Sequence, residues 1–188
     1  NYIIGMLYAK TLLLNKKYTV ADAFLSKLNI LPFEGATIGR QLYHEAKLMQ
    51  AIAEIKKKQY KKALQFIDGA KLWPTNIDER LEDWLSYTCY SNLNKVAAAD
   101  QSLKKILAFT PKVDNTVMNF LPANQLISAW AFEKISSAKK AEEWLQTQVS
   151  LYPYNKIIQW CWQMFTKKQS DSLTEDEKDG EVRIIEKL

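Results

Sequence analysis

The chain has 188 residues, 47% hydrophobic and 25% charged, a composition that places it with folded globular proteins and excludes disordered and fibrous classes. Lysine or arginine interrupts every apolar stretch, so no segment contains the roughly 18 consecutive apolar residues of a membrane-spanning helix. The net charge of +5 is uneven, because residues 170–188 carry seven acids and three bases, which leaves +9 on the preceding residues.

The length favours a single structural unit. A helical pattern starts at Tyr2 without an initiator methionine. We therefore expect the chain to be a piece of a longer protein, or one whose leader was removed.

A pattern of small and large apolar residues recurs four times along the chain. Each copy has apolar residues at i, i+4 and i+7, which places them on one face of a helix, and a proline closes each stretch. The four sets with their prolines are Ala21, Leu25, Leu28 and Pro32; Ala63, Ile67, Ala70 and Pro74; Ala99, Leu103, Ile106 and Pro111; and Ala141, Leu145, polar Gln148 and Pro153. Each set predicts the second helix of a hairpin, helix B.

A preceding helix, helix A, is predicted in each hairpin. Lys16-Lys17-Tyr18 and Lys58-Gln59-Tyr60, 42 residues apart, mark the turn between the two helices. The contact residues predicted on the four A helices are Ala9, Ala51, Tyr87 and Ala129. Asn76 with Glu79 predicts a capping box for the third helix A. Asn155 predicts the start of a ninth helix, about 155–168, which would cover the fourth hairpin as a terminal cap.

This pattern resembles the tetratricopeptide repeat (TPR) family, whose units carry Tyr-x-x-Ala at the start of helix B and proline at its end. Tyr60-Lys61-Lys62-Ala63 and Tyr18-Thr19-Val20-Ala21 match that motif, whereas Val96 and Ala138 replace the tyrosine in the later units. Over residues 1–169 the resemblance implies an all-α fold, a right-handed α-α superhelix of about four hairpins plus a C-terminal capping helix. The repeats here are longer than the family's 34 residues, which implies loop insertions. The segment Pro32–Gly39, which contains two of the five glycines, is predicted to be one of these loops.

A narrower resemblance concerns the segment from Leu31 through Met49. It is similar to the helical tail of multidomain bacterial proteins that join such repeats to a β-rich domain of unknown function. This similarity implies that the natural partner is another domain of the same protein.

The last residues differ in composition from the repeats. Residues 170–188 are acidic and lose helical periodicity, and we expect 170–180 to be a mobile linker. Apolar residues alternate at Val182 and Ile184, so residues 181–188 are compatible either with a strand or with a segment that docks on another surface.

Residues with catalytic or metal-binding potential are few. The chain has one histidine, His44, and two cysteines, Cys89 and Cys161, without CxxC spacing, and we expect these thiols to be unpaired and buried. The acidic pairs Asp78–Glu79 and Glu82–Asp83 are typical of the first turn of a helix. We therefore expect a protein that is not an enzyme and holds no metal or cofactor.

Two functions are compatible with these patterns. The first is a protein-interaction scaffold that binds a protein or peptide through the concave face of the A helices, on a stripe next to the helix B contacts. The residues predicted to contact the partner are Lys10, Ile52, Trp84, Thr88, Ser91, Trp130 and Glu133. The alternative is nucleic-acid binding by the basic body, including the cluster Lys56, Lys57, Lys58, Lys61 and Lys62. A further possibility is that neighbouring A helices pack against the stripe, in which case its residues belong to the hydrophobic core and do not contact a partner.

Overall fold

The computed structural model describes residues 2–28, 36–71, 78–109, 121–166 and 173–188, with side chains from Gly39 onward in the second range. Within these ranges all regular structure is helical and no strand forms, which confirms the predicted all-α class. The ten described helices are α1 (Tyr2–Leu14), α2 (Tyr18–Leu25), α3 (Ala36–Lys56), α4 (Tyr60–Ala70), α5 (Arg80–Asn92), α6 (Val96–Phe109), α7 (Asn124–Ile135), α8 (Ala138–Leu151), α9 (Lys156–Thr166) and α10 (Gly180–Ile185).

The helices form two compact units, whereas the length of the chain favoured a single unit. Unit 1 consists of Asn1–Thr75 with Lys187–Leu188, and unit 2 of Asn76–Glu186. In unit 1, the consecutive helices from α1 to α4 pack on one another, and α1 also packs on α3. In unit 2 the same holds from α5 to α9, and α5 also packs on α7 and α7 on α9. Within each unit, neighbouring hairpins are therefore in contact through their A helices.

The repeated apolar positions form the buried face of each helix B, as predicted. Eleven of the twelve predicted side chains are buried, including Gln148 at 2% exposure. The twelfth, Leu28, is half-buried and packs against the core of unit 1. It lies beyond α2, which ends at Leu25, because the backbone tightens there into a turn in which the Leu28 amide donates to the Leu25 carbonyl.

The turn between helices A and B has the same geometry in three hairpins. Lys16, Lys58 and Asn94 adopt left-handed backbone with φ of 59°, 60° and 56°. The amide of each donates to the carbonyl three residues earlier, and the next amide donates to the carbonyl five residues before it. This is a Schellman motif, which satisfies the last carbonyls of helix A. The fourth hairpin differs, since Ser137 caps α8 by accepting from the Lys140 amide.

The predicted helix starts are partly confirmed. Asn155 caps α9, because its side chain accepts from the amides of Ile157 and Ile158 at 3.1 Å. The capping box that involves Asn76, and the helix-closing prolines Pro32, Pro74 and Pro111, lie outside the described residues. Helix α3 begins at Ala36, inside the segment up to Gly39 that the sequence suggested as a loop.

Residues 173–188, expected in a mobile linker and acidic tail, form a turn and then α10. Asp179 caps α10 by accepting from the Val182 amide at 2.8 Å. The cause of the folding is apolar burial, since four side chains of this segment are at most 7% exposed, namely Leu173, Val182, Ile184 and Ile185. The end of the chain forms a short helix, not the strand that its alternation left open.

Candidate functional site

The predicted stripe has different accessibility in the two units. In unit 1, Lys10 is exposed on α1, whereas Ile52 on α3 is only 4% exposed and its side chain is not accessible to a partner. Met6, Leu13 and Leu48, one turn away on the same faces, are also buried, because α1 and α3 pack on each other and on α2. In unit 1, most of the stripe is therefore core.

In unit 2 the stripe is accessible. Trp84 and Thr88 on α5 are half-buried, as is Trp130 on α7. Ser91 at the end of α5 and Glu133 on α7 are exposed. The structure therefore brings five of the seven predicted contact residues into unit 2, with partly or fully exposed side chains.

Three aromatic rings form one cluster on this surface. The Trp84 ring centroid lies 5.4 Å from that of Trp130, with the planes inclined by 35°. It lies 5.2 Å from the ring of Tyr87, which is also half-buried. We define Trp84, Tyr87 and Trp130 as the aromatic patch. The repeat pattern predicted that Tyr87 contacts helix B. In the structure its ring packs against Trp84, one of the two tryptophans predicted to bind the partner.

Polar groups border the aromatic patch along the two helices. The Thr88 hydroxyl donates to the Trp84 carbonyl at 3.0 Å, so its oxygen can still accept a hydrogen bond. Glu133 lies one helical turn beyond Trp130 and offers a carboxylate to solvent. The arrangement combines aromatic faces with polar groups at the border, which is the composition of interfaces that bind protein chains.

A buried network centred on Arg80 connects the start of α5 to α7. Arg80 and Asp78 are 3% and 1% exposed, and the guanidinium binds both carboxylate oxygens, with Nε 2.8 Å from Oδ1 and Nη2 2.6 Å from Oδ2. Nη1 donates to the Ser128 hydroxyl of α7 at 2.7 Å. The Arg80 guanidinium also lies 5.1 Å from the ring centre of Phe109. A guanidinium satisfied in this way fixes α5 against α7, and so fixes the spacing of Trp84 and Trp130.

The sequence pattern did not predict this network, because its partners are 45–48 residues apart in the chain. Asp78 was interpreted only as part of an acidic first turn. That interpretation is confirmed for Glu82 and Asp83, which lie in the first turn of α5. The one feature of the sequence that could have indicated this network is Arg80 itself, which stands at the start of a predicted helix and two residues after Asp78.

The two cysteines are free thiols, as predicted, and both are buried. Burial raises the pKa of Cys89 to about 11 and that of Cys161 to about 12, so neither thiol ionises near neutral pH. The single histidine, His44, is half-buried on α3. In the ranges that the structure describes, no group of three or more His, Cys, Asp or Glu residues is placed to hold a metal ion.

The lysine cluster of the alternative function lies at the turn between α3 and α4. All five of its side chains are exposed. Two of them, Lys57 and Lys62, lie 3.1 and 3.4 Å from Glu54. The hydrogen bond from Lys57, reinforced by Lys62, holds the pKa of Glu54 below its ordinary value. This carboxylate therefore offsets part of the local positive charge.

No protein-family model, no curated protein and no solved structure matches this chain. Among the described helices, none is both long and apolar enough to cross a membrane.

Proposed function

We propose that this chain is a non-catalytic protein-interaction scaffold of TPR-like hairpins, stacked as a right-handed superhelix with a C-terminal capping helix. Its partner is a protein or peptide, another domain of the same protein included. The observation that carries the proposal is the aromatic patch, because stacked tryptophans that remain partly exposed on a rigid pair of helices provide a ready binding surface.

The energetic argument rests on the tryptophans. Each tryptophan side chain can bury up to about 250 Å², and truncating a tryptophan that is a hot spot of an interface costs about 2 kcal/mol or more. The two rings are held before binding by their contact with each other and by the Arg80 network, which links α5 to α7. A partner therefore loses little free energy to ordering this surface.

A protein partner is favoured over nucleic acid by the position of the charges. The lysine cluster lies in unit 1, and two of its five lysines, Lys57 and Lys62, form ion pairs with Glu54. The aromatic patch of unit 2 has Glu133 beside it, which would repel a phosphate backbone. Binding through the patch should therefore depend only weakly on salt.

The test is a selection of peptides from a displayed random library on the immobilised chain. Clones are counter-selected on the double variant Trp84→Ala/Trp130→Ala, so that those retained require the aromatic patch. The proposal expects enriched peptides with apolar or aromatic anchors whose affinity changes little between low and moderate salt. Failure to enrich any patch-dependent peptide, together with salt-sensitive binding of single-stranded RNA, would favour the nucleic-acid function.

A further inference from the structure

Helix α1 is apolar on both its buried and its exposed sides. One side, centred on Ala9, is packed in the core of unit 1. The opposite side exposes five large apolar side chains, and the exposed fractions are 69% for Ile3, 64% for Ile4, 61% for Leu7, 49% for Tyr8 and 50% for Leu14. A helix that is hydrophobic all round is normally covered on all sides. Solvent-exposed apolar area of this extent marks an interaction surface.

The repeat register shows what this face does in the next hairpin. Ala9 and Ala51 are both fully buried and occupy equivalent positions, 42 residues apart. With this offset, the positions on α3 that correspond to Ile3, Ile4, Leu7 and Tyr8 are at most 8% exposed, whereas Lys56, which corresponds to Leu14 at the end of the helix, is exposed. The equivalent pairs are Ile4 with Ala46, which is 0% exposed, and Leu7 with Met49, which is 5% exposed. Ala46 packs in the cluster formed by α1 and α2, the preceding hairpin.

The same register holds in unit 2. Aligned on Ala129, the equivalents of Ile4 and Leu7 on α7 are Asn124 and Ile127, both 0% exposed. Asn124 donates from Nδ2 to the Asp78 carbonyl just before α5, at 3.4 Å, so this face again receives the preceding hairpin. In both units, the helix face equivalent to Ile4 and Leu7 is a helix-packing face.

We propose that the exposed face of α1 is a self-association surface, covered by α1 of a second copy of this chain. Its central residues, Ile4, Leu7, Thr11 and Leu14, follow the alternating spacing of three and four that two packed helices require. An antiparallel, twofold pairing sets Ile4 of each copy opposite Leu14 of the other, and Leu7 opposite Thr11.

Charge also favours a second copy as the occupant. The four central positions carry no ionisable group, so pairing the face with itself brings no like charges together at its centre. Lys10 lies at the margin, next to Ile3 on the helix surface, where its stem can cover the edge while its ammonium stays in water.

The exposed area sets the strength of the association. The five exposed side chains, each at least 49% exposed, present on the order of 500 Å² per copy, a patch of the size that is often functional. Two such patches bury roughly 1,000 Å² in total, the lower limit for a specific interface. We therefore expect a weak dimer, with a dissociation constant on the order of 10–100 μM.

Sedimentation equilibrium of the full chain over a concentration series measures this directly. The parent should shift from 21.8 kDa toward twice that mass as concentration rises. Leu7→Glu places a carboxylate at the centre of both faces, and should weaken dimerisation by about 100-fold or more. Leu151→Glu is the matched control, because Leu151 is also 61% exposed but lies on α8, and it should dimerise like the parent.

Melting curves establish that both variants are folded, which is expected because both leucines are exposed. A parent that stays monomeric across the series would overturn the proposal, and would leave this face to a different partner. So would a dimer that survives Leu7→Glu, or one that both variants abolish equally, because either result would place the contact elsewhere.

Discussion

Fully buried alanines occupy equivalent positions of the hairpins, one in helix A and one in helix B. Ala9 and Ala21 form such a pair in the first hairpin, and Ala51 and Ala63 in the second, all at 0% exposure. A small side chain lets the two helix backbones approach closely, and a larger one at the same position would have to displace the neighbouring helix. The recurrence of alanine was visible in the sequence, and for this reason the register of the hairpins could be predicted.

Ala63→Asp tests this interpretation at a single residue. The carboxylate would be placed where Ala63 is now 0% exposed on α4, so it would lose its hydration. We expect a loss of about 3–5 kcal/mol in the free energy of unfolding, measured by urea denaturation.

Gln65→Asp is the control, because it introduces the same aspartate at an exposed position in the middle of the same helix, where the carboxylate stays hydrated. It should cost less than about 1 kcal/mol. Equal losses for the two variants would show that the register of α4 is wrong.

Among the structural elements, the left-handed residue of the A–B turns is the feature least expected from the sequence. The position favours glycine, yet it holds Lys16, Lys58 and Asn94. The lysines and the following tyrosine located two of these turns in the sequence. They could not predict the backbone geometry, since lysine does not favour it.

Lys58→Gly should stabilise the protein, because glycine adopts φ near 60° without the steric cost that lysine pays there. We expect a gain of about 0.5–1 kcal/mol in the free energy of unfolding. Lys61→Gly, the same change at an exposed position inside α4, should instead cost about 1 kcal/mol. Chemical denaturation measures the free energy of unfolding of both variants. A change in the same direction for Lys58→Gly and Lys61→Gly would contradict this interpretation of the turn.

The turn before α10 is attached to α9 by an ion pair between Lys156 and Glu177. The hydrogen bond from Lys156, with that from the Thr174 amide, lowers the pKa of Glu177 to about 2 from an ordinary value of 4.5. A carboxyl whose pKa is depressed on folding adds stability above its unfolded pKa, and this contribution disappears as pH falls through the folded value.

Glu177→Gln should therefore melt below the parent at pH 6, and the two melting temperatures should converge as pH falls from about 4.5 to about 2. Thermal melts of both proteins over this pH range measure the difference. A gap that stays constant down to pH 2 would show that the ionised Glu177 carboxylate does not stabilise the fold.

For the molecule as a whole, the sequence predicted the parts that depend on local periodicity. The all-α class and the buried faces of the B helices follow from spacing alone, as do the positions of Trp84 and Trp130 on A helices. The Arg80 network depends on contacts between segments distant in the chain, which periodicity does not encode. Tyr87 lies one turn from Trp84 on α5, so its place in the aromatic patch is a local feature, but the repeat pattern assigned it to the contact with helix B instead. Ile52 of unit 1 is buried whereas Trp84 of unit 2 is accessible, and this difference likewise depends on which helices pack around each stripe residue.

The proposed function requires that the aromatic patch bind a protein chain and not serve only as core. Trp84 and Trp130 stack on each other, so replacing either with alanine removes some packing, and we expect a stability loss of about 1–2 kcal/mol. A fully exposed tryptophan could be replaced with almost no loss of stability, so the expected loss is larger than that. It is still small enough for each variant to remain folded.

The most direct measurement is the affinity, by isothermal titration calorimetry, of three folded variants for a peptide that was enriched on the parent chain before any counter-selection. Trp84→Ala and Trp130→Ala should each weaken binding at least about tenfold, which corresponds to about 1.4 kcal/mol. Trp144→Ala should bind like the parent, because Trp144 is also half-buried and stacked, 5.5 Å from Phe132, but lies on helix B α8. Equal affinity for all three variants, or equal losses in all three, would contradict the proposal that this patch is the binding surface.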